Sequence, residues 1–204
     1  MTQHGSIGEP KHMRQEILTT ARALFIEQGY RGLSMSVLAR AVGVSKAALY
    51  YHYQDKEELF LAVLNELLNE IEVLIDAAVG GQTTSREKIQ ALVHTILAWP
   101  QEQRAAIRLA SQEMAQISSP ARKRFHRDYH EKFIGKIQAV IEQGIQKGEL
   151  RPLNPALATW SLLGMMYPYF FPAHATELPP PAEVIDHLVL IYLDGLAQSS
   201  RRAW

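Results

Sequence analysis

Side chains able to contact a nucleic acid are concentrated between residues 34 and 56. This segment carries serine hydroxyls, two lysines and two adjacent tyrosines, several of them one helical turn apart. Hydroxyl and ammonium groups donate to phosphate oxygens, and a lysine also donates to guanine O6 and N7 in a major groove. The candidate contact residues are Ser34, Ser36, Ser45, Lys46, Ala47, Tyr50, Tyr51 and Lys56. Their chemistry indicates recognition of double-stranded DNA rather than catalysis.

Two short helices with a glycine between them must position these side chains. Ser34 is a suitable N-cap for the first helix, Gly43 interrupts the pattern, and Ser45 can cap a second helix to about Tyr51. Two such helices around a tight turn predict a helix-turn-helix at about residues 34–53. The side chains expected to pack inward are Val37, Leu38, Ala41, Val42, Val44, Ala48, Leu49 and Tyr53.

The second short helix then presents its other face outward. Lys46 can donate to guanine or phosphate, and the small Ala47 allows close approach to a thymine methyl. Tyr50 and Tyr51 can donate their hydroxyls to the phosphate backbone. Lys56 begins the next helix, where its ammonium and the free N–H groups can both meet a phosphate. The serines that start the first short helix are placed for the same contact.

The overall composition is that of a folded protein without cysteine chemistry. The chain has 204 residues, of which 47% are hydrophobic and 21% charged, and it contains no Cys. This excludes disulfides and Cys-ligated zinc. No apolar run is long enough for a bilayer-spanning helix, so we expect a cytoplasmic protein without a membrane partner. The formal net charge is zero, but residues 1–56 hold seven Lys or Arg against four acidic residues. A positive head of this kind is consistent with DNA binding.

Helical periodicity extends along the chain, and no alternating strand pattern is found. We therefore predict an all-α fold of about nine helices, with three short helices forming a head and longer helices forming a body. A capping pattern at 55–58 starts a long fourth helix that ends before the loop at 80–85. The other helices are predicted at 11–28, 34–42, 45–51, 86–98, 102–117, 118–147, 155–166 and 182–197.

The stretch GYRGLSMSVLARAVGVSKAALYYHYQDKEELFLAVL (29–64) resembles the DNA-binding segment of the tetracycline-repressor (TetR) family. The matching features are Gly29, Ser34, Leu38-Ala39, Gly43-Val44-Ser45, Leu49-Tyr50, Tyr53 and Lys56-Glu57-Glu58-Leu59. Two positions depart from the family pattern: Met35 stands where a second Thr or a Val is common, and Ala47 replaces a Gly. We expect the first to cost a phosphate contact and the second to stiffen the helix.

The resemblance implies three parts: a mobile tail (1–10), a helix-turn-helix DNA-binding domain (11–71) and a C-terminal ligand-binding and dimerisation domain (72–204). It also implies a homodimeric repressor on a palindromic operator, released by a small molecule that acts through the fourth helix. Family members dimerise through their last two long helices. The expected interface residues are Trp160, Leu163, Val184, Leu188, Ile191, Tyr192 and Gly195. The periodicity leaves open whether these residues form the interface or the core of one chain.

Large, soft or aromatic side chains in the body suggest an effector pocket for a mostly lipophilic molecule. Its candidate lining residues are Trp99, Leu109, Met114, Phe125, Tyr129, Phe133, Met165, Met166, Tyr169 and Phe170. An acidic or hydroxyl end of the ligand could be met by Arg108, Lys132 or Tyr129. The alternative for each lining residue is ordinary core packing.

Two further classes are weighed against a DNA-binding regulator. An enzyme is disfavoured because there is no Gly-rich phosphate loop, cysteine or serine elbow. A helical protein-interaction module without DNA binding does not need the outward donors of residues 46–56. His126 and His130 have a metal-binding spacing, but their segment is strongly charged, so we expect solvated surface and no metal. No cofactor is expected.

Overall fold

The computed structural model of the chain describes residues 10–171 and 181–196. The helices are α1 (Pro10–Gly32), α2 (Met35–Val42), α3 (Lys46–His52), α4 (Lys56–Gly80), α5 (Ser85–Leu97), α6 (Gln101–Glu113), α7 (Ser119–Tyr129), α8 (Gly135–Gln146), α9 (Pro155–Met166) and α10 (Pro181–Leu196). A π-helical segment, His130–Ile134, joins α7 directly to α8. These three pieces make one continuous helix, as predicted, so the described residues form nine helices and no strand. The all-α prediction is confirmed. The predicted mobile tail lies outside the described residues, apart from Pro10.

Side-chain caps explain why the predicted helix starts agree with the structure. The Ser34 hydroxyl accepts from the Val37 N–H at 3.3 Å, and Asn154 Oδ1 accepts from the Leu157 N–H at 3.0 Å. Each cap satisfies an N–H group that has no partner within its own helix. At the start of α4, Asp55 Oδ1 likewise accepts from the Glu58 N–H at 2.7 Å.

Glycines in the left-handed region end the first two helical runs. Gly29 has φ 70° and ψ 172°, so α1 contains a kink where the sequence predicts its end. Gly43 has φ 81° and follows the last residue of α2. A side chain with a Cβ rarely adopts this backbone conformation. These two residues therefore set the path of the chain through the helix-turn-helix.

The described residues divide into two compact units. Unit 1 contains 10–67 and 109–125, and unit 2 contains 68–108, 126–171 and 181–196. The predicted division into functional domains at residues 71 and 72 stays a prediction, because compactness alone does not assign function.

Unit 1 has an aromatic and aliphatic core. The Phe25 and Phe60 ring centroids are 5.0 Å apart in an edge arrangement, and Tyr30 lies 5.0 Å from Phe60. Leu38 of α2 and Leu49 of α3 are completely buried. Helix α2 packs against α1 and α3, and the ring contacts join α1 to the first half of α4.

The inward face predicted for α2 is partly wrong. Val37 is 37% exposed and Ala41 is also exposed, whereas Met35 and Ala39 are buried. The buried residues of α2 are therefore Met35, Leu38 and Ala39. The prediction had been Val37, Leu38, Ala41 and Val42. Because the Met35 side chain is core, this departure from the family pattern fills space in the head. Met35 is thus a packing residue, and the phosphate contact that it was expected to cost stays a prediction.

Unit 2 is a helical bundle in which α5 packs against both α8 and α10, and α8 packs against α9. Charged side chains join the second half of α4 to the π segment and α8. Lys136 Nζ lies 3.0 Å from a Glu72 carboxylate oxygen and 2.7 Å from one of Asp76, and Lys132 donates to Asn69 Oδ1. These pairs repeat at one-turn spacing and hold the two helices in register.

Candidate nucleic-acid interface

The position of α3 is fixed by its cap and by two buried residues. Ser45 accepts from the Ala48 N–H at 3.0 Å, Leu49 is fully buried and Tyr53 is 1% exposed. Arg14 of α1 donates from Nε to the Tyr53 hydroxyl at 3.2 Å and lies over its ring. Burial raises the pKa of Tyr53, so its hydroxyl stays protonated. Tyr53 is the inward anchor that the sequence predicted.

The opposite face of α3 is open. Lys46 and Ala47 are exposed, Tyr50 is 42% exposed and Tyr51 is 86% exposed. The Lys46 Nζ atom lies 5.8 Å from the Tyr50 ring centroid, which keeps the ammonium on the same side as the phenol. The outward direction of these four side chains agrees with the sequence prediction. Their contact with DNA stays a prediction.

The serines are placed as expected around this face. Ser34 and Ser45 are exposed N-caps, and each hydroxyl accepts from a main-chain N–H while its own proton is free to donate. Ser36 is exposed in the first turn of α2. His52, whose role the sequence left open, is partly exposed and meets Tyr51 edge-on at 5.4 Å. His52 therefore lies at the edge of the exposed face.

Lys56 makes contacts within unit 1 that the sequence did not predict. Its Nζ donates to the main-chain carbonyls of Tyr30 and Leu33, both at 2.8 Å, and lies 4.3 Å from the Tyr30 ring centroid. Two of the three ammonium protons are thus used within the head. Lys56 therefore closes the end of α1 with two of its protons, and its predicted phosphate contact, for which one proton is left, stays a prediction. Sequence spacing gives no signal for this contact, because the partners are 26 and 23 residues away.

Part of the predicted effector set forms an aromatic cluster in unit 2. The Trp99 ring lies 6.1 Å from Phe133 and 6.0 Å from Phe170, and Tyr129 lies 5.4 Å from Phe133. Met166 is 1% exposed in the same unit. Met165 and Tyr169 are partly exposed there, whereas Leu109, Met114 and Phe125 belong to unit 1.

Three polar residues were predicted to contact the effector: Arg108, Lys132 and Tyr129. Arg108 donates to the Phe170 carbonyl at 3.0 Å, and Lys132 donates to Asn69. Both cations therefore have partners within unit 2. Burial raises the pKa of Tyr129 to about 12, so its hydroxyl is neutral at physiological pH.

Two surface clefts of unit 2 are lined by other residues. One of about 440 Å³ is lined by Ala77, Ala78, Gln82, Glu87, Gln90, Ala91, His94 and Thr95. A second of about 390 Å³ is lined by Thr84, Arg86, Glu149, Leu150 and Leu193. Thr84 and Glu87 cap α5 by bonding each other's main-chain N–H groups, so these polar groups are already partnered. Neither cleft includes a predicted effector residue.

The predicted dimer residues fall into two groups. Trp160 is 55% and Ile191 64% exposed, and Leu163, Val184 and Leu188 are partly exposed. Gly195 lies in α10, and its exposure falls outside what the structure describes.

Tyr192 is a correction to the predicted interface. It is 5% exposed, and its hydroxyl donates to the Ala158 carbonyl at 3.0 Å. It therefore joins α10 to α9 within one chain. Leu157 and Leu190, exposed by 66% and 50%, are two apolar residues that the sequence reasoning missed. Because both helices are apolar around most of their circumference, their periodicity could not distinguish buried from exposed apolar residues.

In the described part of the chain, no group of three or more His, Asp or Glu side chains could hold a metal ion. His126 and His130 are both exposed. No described helix has the length and apolar character needed to cross a bilayer.

Two short helices around a left-handed glycine, with an open donor-rich face on the second, define a helix-turn-helix DNA-binding protein. Residues 17–63 match the family described as bacterial regulatory proteins, tetR family, and residues 82–168 match the tetracyclin repressor-like C-terminal domain. The chain belongs to the TetR family of transcriptional regulators.

Relatives and solved structures agree with this assignment over most of the chain. An uncharacterized HTH-type transcriptional regulator, YhgD of Bacillus subtilis (strain 168), is 26% identical over 87% of this chain and 92% of its own length. The transcriptional repressor KstR2 of Rhodococcus jostii (strain RHA1) is 25% identical over 68% of each chain. A crystal structure of AibR in complex with isovaleryl coenzyme A and operator DNA is 25% identical, with a TM-score of 0.69 over 88% of this chain and 97% of AibR.

Proposed function

We propose that this protein is a transcriptional repressor that binds a palindromic operator as a homodimer and leaves it when a small lipophilic effector binds. The outer face of α3 is the main support, because Lys46, Ala47, Tyr50 and Tyr51 are all exposed while Leu49 and neighbouring core residues fix the helix from behind. Repression as the direction of control is supported by the similarity to the KstR2 repressor.

Each exposed residue of α3 has a distinct role in this proposal. Lys46 donates to guanine or to phosphate, and Ala47 lets the helix approach the base edges. Tyr50 and Tyr51 donate to phosphates and set the register of the head on the duplex. Ser34, Ser36 and Ser45 add hydroxyl donors at the starts of α2 and α3, and these three serines complete the proposed DNA-contact set.

Dimerisation is supported by exposed apolar side chains on the last two described helices. Leu157 and Trp160 lie one turn apart on α9, and Leu190 and Ile191 are adjacent on α10. Four large apolar side chains exposed on two helices that the Tyr192–Ala158 hydrogen bond joins indicate an interaction surface. A second copy of the chain satisfies a self-complementary surface of this kind. Two-fold symmetry then places one α3 on each half-site, about one helical turn or roughly 10 bp apart.

The effector is proposed to be an acyl thioester of coenzyme A. The AibR complex supports this class, because AibR is similar over most of both chains and its crystal structure contains isovaleryl coenzyme A. The aromatic cluster around Trp99 offers an apolar environment for an acyl chain in unit 2. Binding that favours the conformation unable to hold DNA would release the operator by population shift. Helix α4 carries this coupling in the proposal, since it starts in unit 1 and ends in unit 2.

The proposal places the protein in the cytoplasm with the DNA it regulates and assigns it no enzymatic activity. The test uses fluorescence anisotropy with the upstream region of its own gene and with DNA selected from a random pool. We expect salt-dependent binding to a palindrome, and release by isovaleryl coenzyme A or a longer acyl homologue. Absence of binding to either DNA at low salt would contradict the function and favour the interaction-module alternative.

A further inference from the structure

A buried donor in unit 2 has no acceptor. The Trp99 side chain is 3% exposed, and its indole Nε1 has no hydrogen-bond partner among the described residues. Buried polar groups are nearly always paired, because an unpaired N–H loses its hydration and gains nothing in return. An orphaned indole N–H therefore indicates a group from outside the chain that accepts its proton.

The surroundings of the Trp99 indole suit an apolar molecule. Phe133 and Phe170 lie about 6 Å away, at 6.1 and 6.0 Å between ring centroids. Tyr129 extends the cluster beyond Phe133, and burial keeps its phenol uncharged. Large apolar walls with very few polar atoms are typical of sites for lipophilic ligands.

A second orphaned polar atom lies close by in the sequence. Gln103 is in the first turn of α6, four residues after Trp99, and its Oε1 is buried without a donor. One unpaired donor and one unpaired acceptor are thus placed within four residues. They match a ligand that presents an acceptor oxygen and an N–H or O–H group.

The nearby cations do not favour a free carboxylate. Arg104 donates to the main-chain carbonyls of Trp99 and Leu97, at 2.8 and 3.3 Å, and Arg108 donates to that of Phe170. An unpaired neutral indole donor together with an unpaired amide oxygen suits a neutral carbonyl better, because the Gln103 oxygen would repel a carboxylate anion.

An irregular helix lies at the same place. The π-helical segment begins directly after Tyr129 and contains Phe133, so two rings of the cluster lie on it or beside it. Single π-helical turns within α-helices are frequent at functional sites. This observation is independent of the orphaned atoms and points to the same cluster.

We propose that Trp99 Nε1 and Gln103 Oε1 form the polar end of the effector site and bind the neutral carbonyl end of a lipophilic ligand. Trp99 donates to the carbonyl oxygen, Gln103 accepts from an N–H or O–H further along the ligand, and the aromatic rings cover the chain next to the carbonyl. For an acyl thioester, this assignment rests on the proposed function and names the atom that the protein recognises.

The first test measures release of operator DNA by decanoyl coenzyme A and by decyl coenzyme A, its thioether counterpart without the carbonyl oxygen. We expect the wild type to need about fivefold to tenfold more thioether, the range of one hydrogen bond. Trp99→Phe keeps an aromatic ring without the indole N–H and should remove this preference. Gln103→Leu should weaken the release of DNA by both compounds. Gln143→Leu, at an exposed position on α8, is the matched control.

The second test follows the indole N–H resonances of the full-length protein by NMR, with the Trp99 peak assigned by its loss in Trp99→Phe. Decanoyl coenzyme A and the neutral ketone 2-nonanone should move this peak downfield, and decyl coenzyme A should not. The indole N–H of Trp160, which lies on α9 and is not part of the aromatic cluster, supplies an internal reference.

Each result separates this inference from the proposed function. If acyl thioesters release wild type and Trp99→Phe equally and the Trp99 peak stays in place, the polar-end assignment is overturned while the proposed effector class stands. If no thioester releases the wild type, the effector class fails. If, in addition, 2-nonanone does not shift the Trp99 peak, the carbonyl assignment is overturned. The acceptor of the indole proton is then an internal water.

Discussion

The Lys56 ammonium makes two hydrogen bonds to carbonyl oxygens at the end of α1, each 2.8 Å long. Hydrogen bonds to a charged group contribute about 1.5–3 kcal/mol each when buried, and partial exposure reduces that value. We expect Lys56→Met to lower the free energy of unfolding by about 1–3 kcal/mol. Urea unfolding followed by circular dichroism measures this.

The same variant distinguishes the two roles weighed for Lys56. A phosphate contact contributes about one unit to the slope of log affinity against log salt. Because two of its three protons are used within the head, we expect the salt slope of operator binding to stay unchanged. A reduced slope without loss of stability would mean that Lys56 serves DNA and not the end of α1.

The exposed residues of α3 should affect DNA binding in two different ways. Tyr50→Phe removes one hydroxyl and should weaken binding to all sequences several-fold, because phosphate contacts carry no sequence information. Lys46→Ala should cost about 1–3 kcal/mol at one base pair and broaden base preference there. Binding to a set of single-base operator variants measures both. Arg86→Ala, an exposed arginine on α5, should leave binding unchanged; equal losses in all three variants would contradict the assignment.

For single residues, helical periodicity predicted which way a side chain points but not its hydrogen-bond partners. Leu49 and Tyr53 were placed inward correctly because only one face of a short helix can reach the core. Val37 was misplaced, since a short helix gives few positions from which to fix the phase of the stripe. The partners of Lys56 and the orphaned nitrogen of Trp99 depend on residues distant in sequence, so no local pattern could reveal them.

Among the helices, α5 has the most completely satisfied start. Glu87 Oε2 accepts from the Thr84 N–H at 2.9 Å and from the N–H and hydroxyl of Thr83 at 3.1 and 2.9 Å. These hydrogen bonds lower the pKa of Glu87 from 4.5 to about 2, and the main-chain bond from Thr84 is the largest cause. The charged form is favoured in the folded protein, as in other reciprocal caps.

This cap predicts a specific acid sensitivity. Because the folded pKa lies below the unfolded one, the stabilisation is complete above pH 4.5 and is lost as the pH falls from 4.5 to about 2. Glu87→Gln should therefore lose less stability than the wild type over that interval. Thermal unfolding by circular dichroism from pH 7 to pH 2 measures the difference. Glu131→Gln, at an exposed position in the π segment, should follow the wild type; if Glu87→Gln does so too, the cap is not the source.

The helices themselves were largely predictable because their ends are marked by residues with local effects. Caps such as Ser34 and Asn154 act within three residues, so they are visible in the sequence. The π-helical segment was not predictable, because it spans only five residues and no residue type or cap marks a π turn within a longer helix. The short 3₁₀ turn Met114–Gln116 follows α6 and lies within the predicted helix, because a single tighter turn of three residues is too short to change the periodicity.

At the scale of the whole molecule, the exposed apolar residues of α9 and α10 predict the assembly. Light scattering should give a particle of twice the 23.0 kDa chain mass. Ile191→Arg combined with Leu157→Arg should yield single chains, because four buried charges per dimer cannot be paired across an apolar interface. Operator affinity should fall together with the dimer.

An exposed valine supplies the control for this experiment. Val73 is 67% exposed on α4, comparable to Ile191 at 64%. Val73→Arg should therefore keep the double mass. A wild-type particle of 23.0 kDa would contradict the dimer, and loss of the dimer in Val73→Arg would place the interface elsewhere.

The sequence predicted which helices expose these residues, and it named Trp160 and Ile191 but not Leu157 and Leu190. Both helices are apolar on more than one side, so periodicity could not assign Tyr192 to the core and Leu190 to the surface. That assignment depends on how α10 packs against α5 and on the Tyr192 bond to Ala158. Long-range packing of this kind is set by the whole fold.

Unit 1 is built from two stretches of chain, and this limits how such a protein can be recombined. Glu57 accepts from both the N–H and the hydroxyl of Ser118, at 2.6 and 2.7 Å, and Arg31 donates to Gln116 at 2.5 Å. Residues 109–125 thus complete the unit that carries α3. A chimera that exchanges operator specificity by a single crossover would separate these partners. A graft with junctions near 67, 109 and 125 would transfer them together.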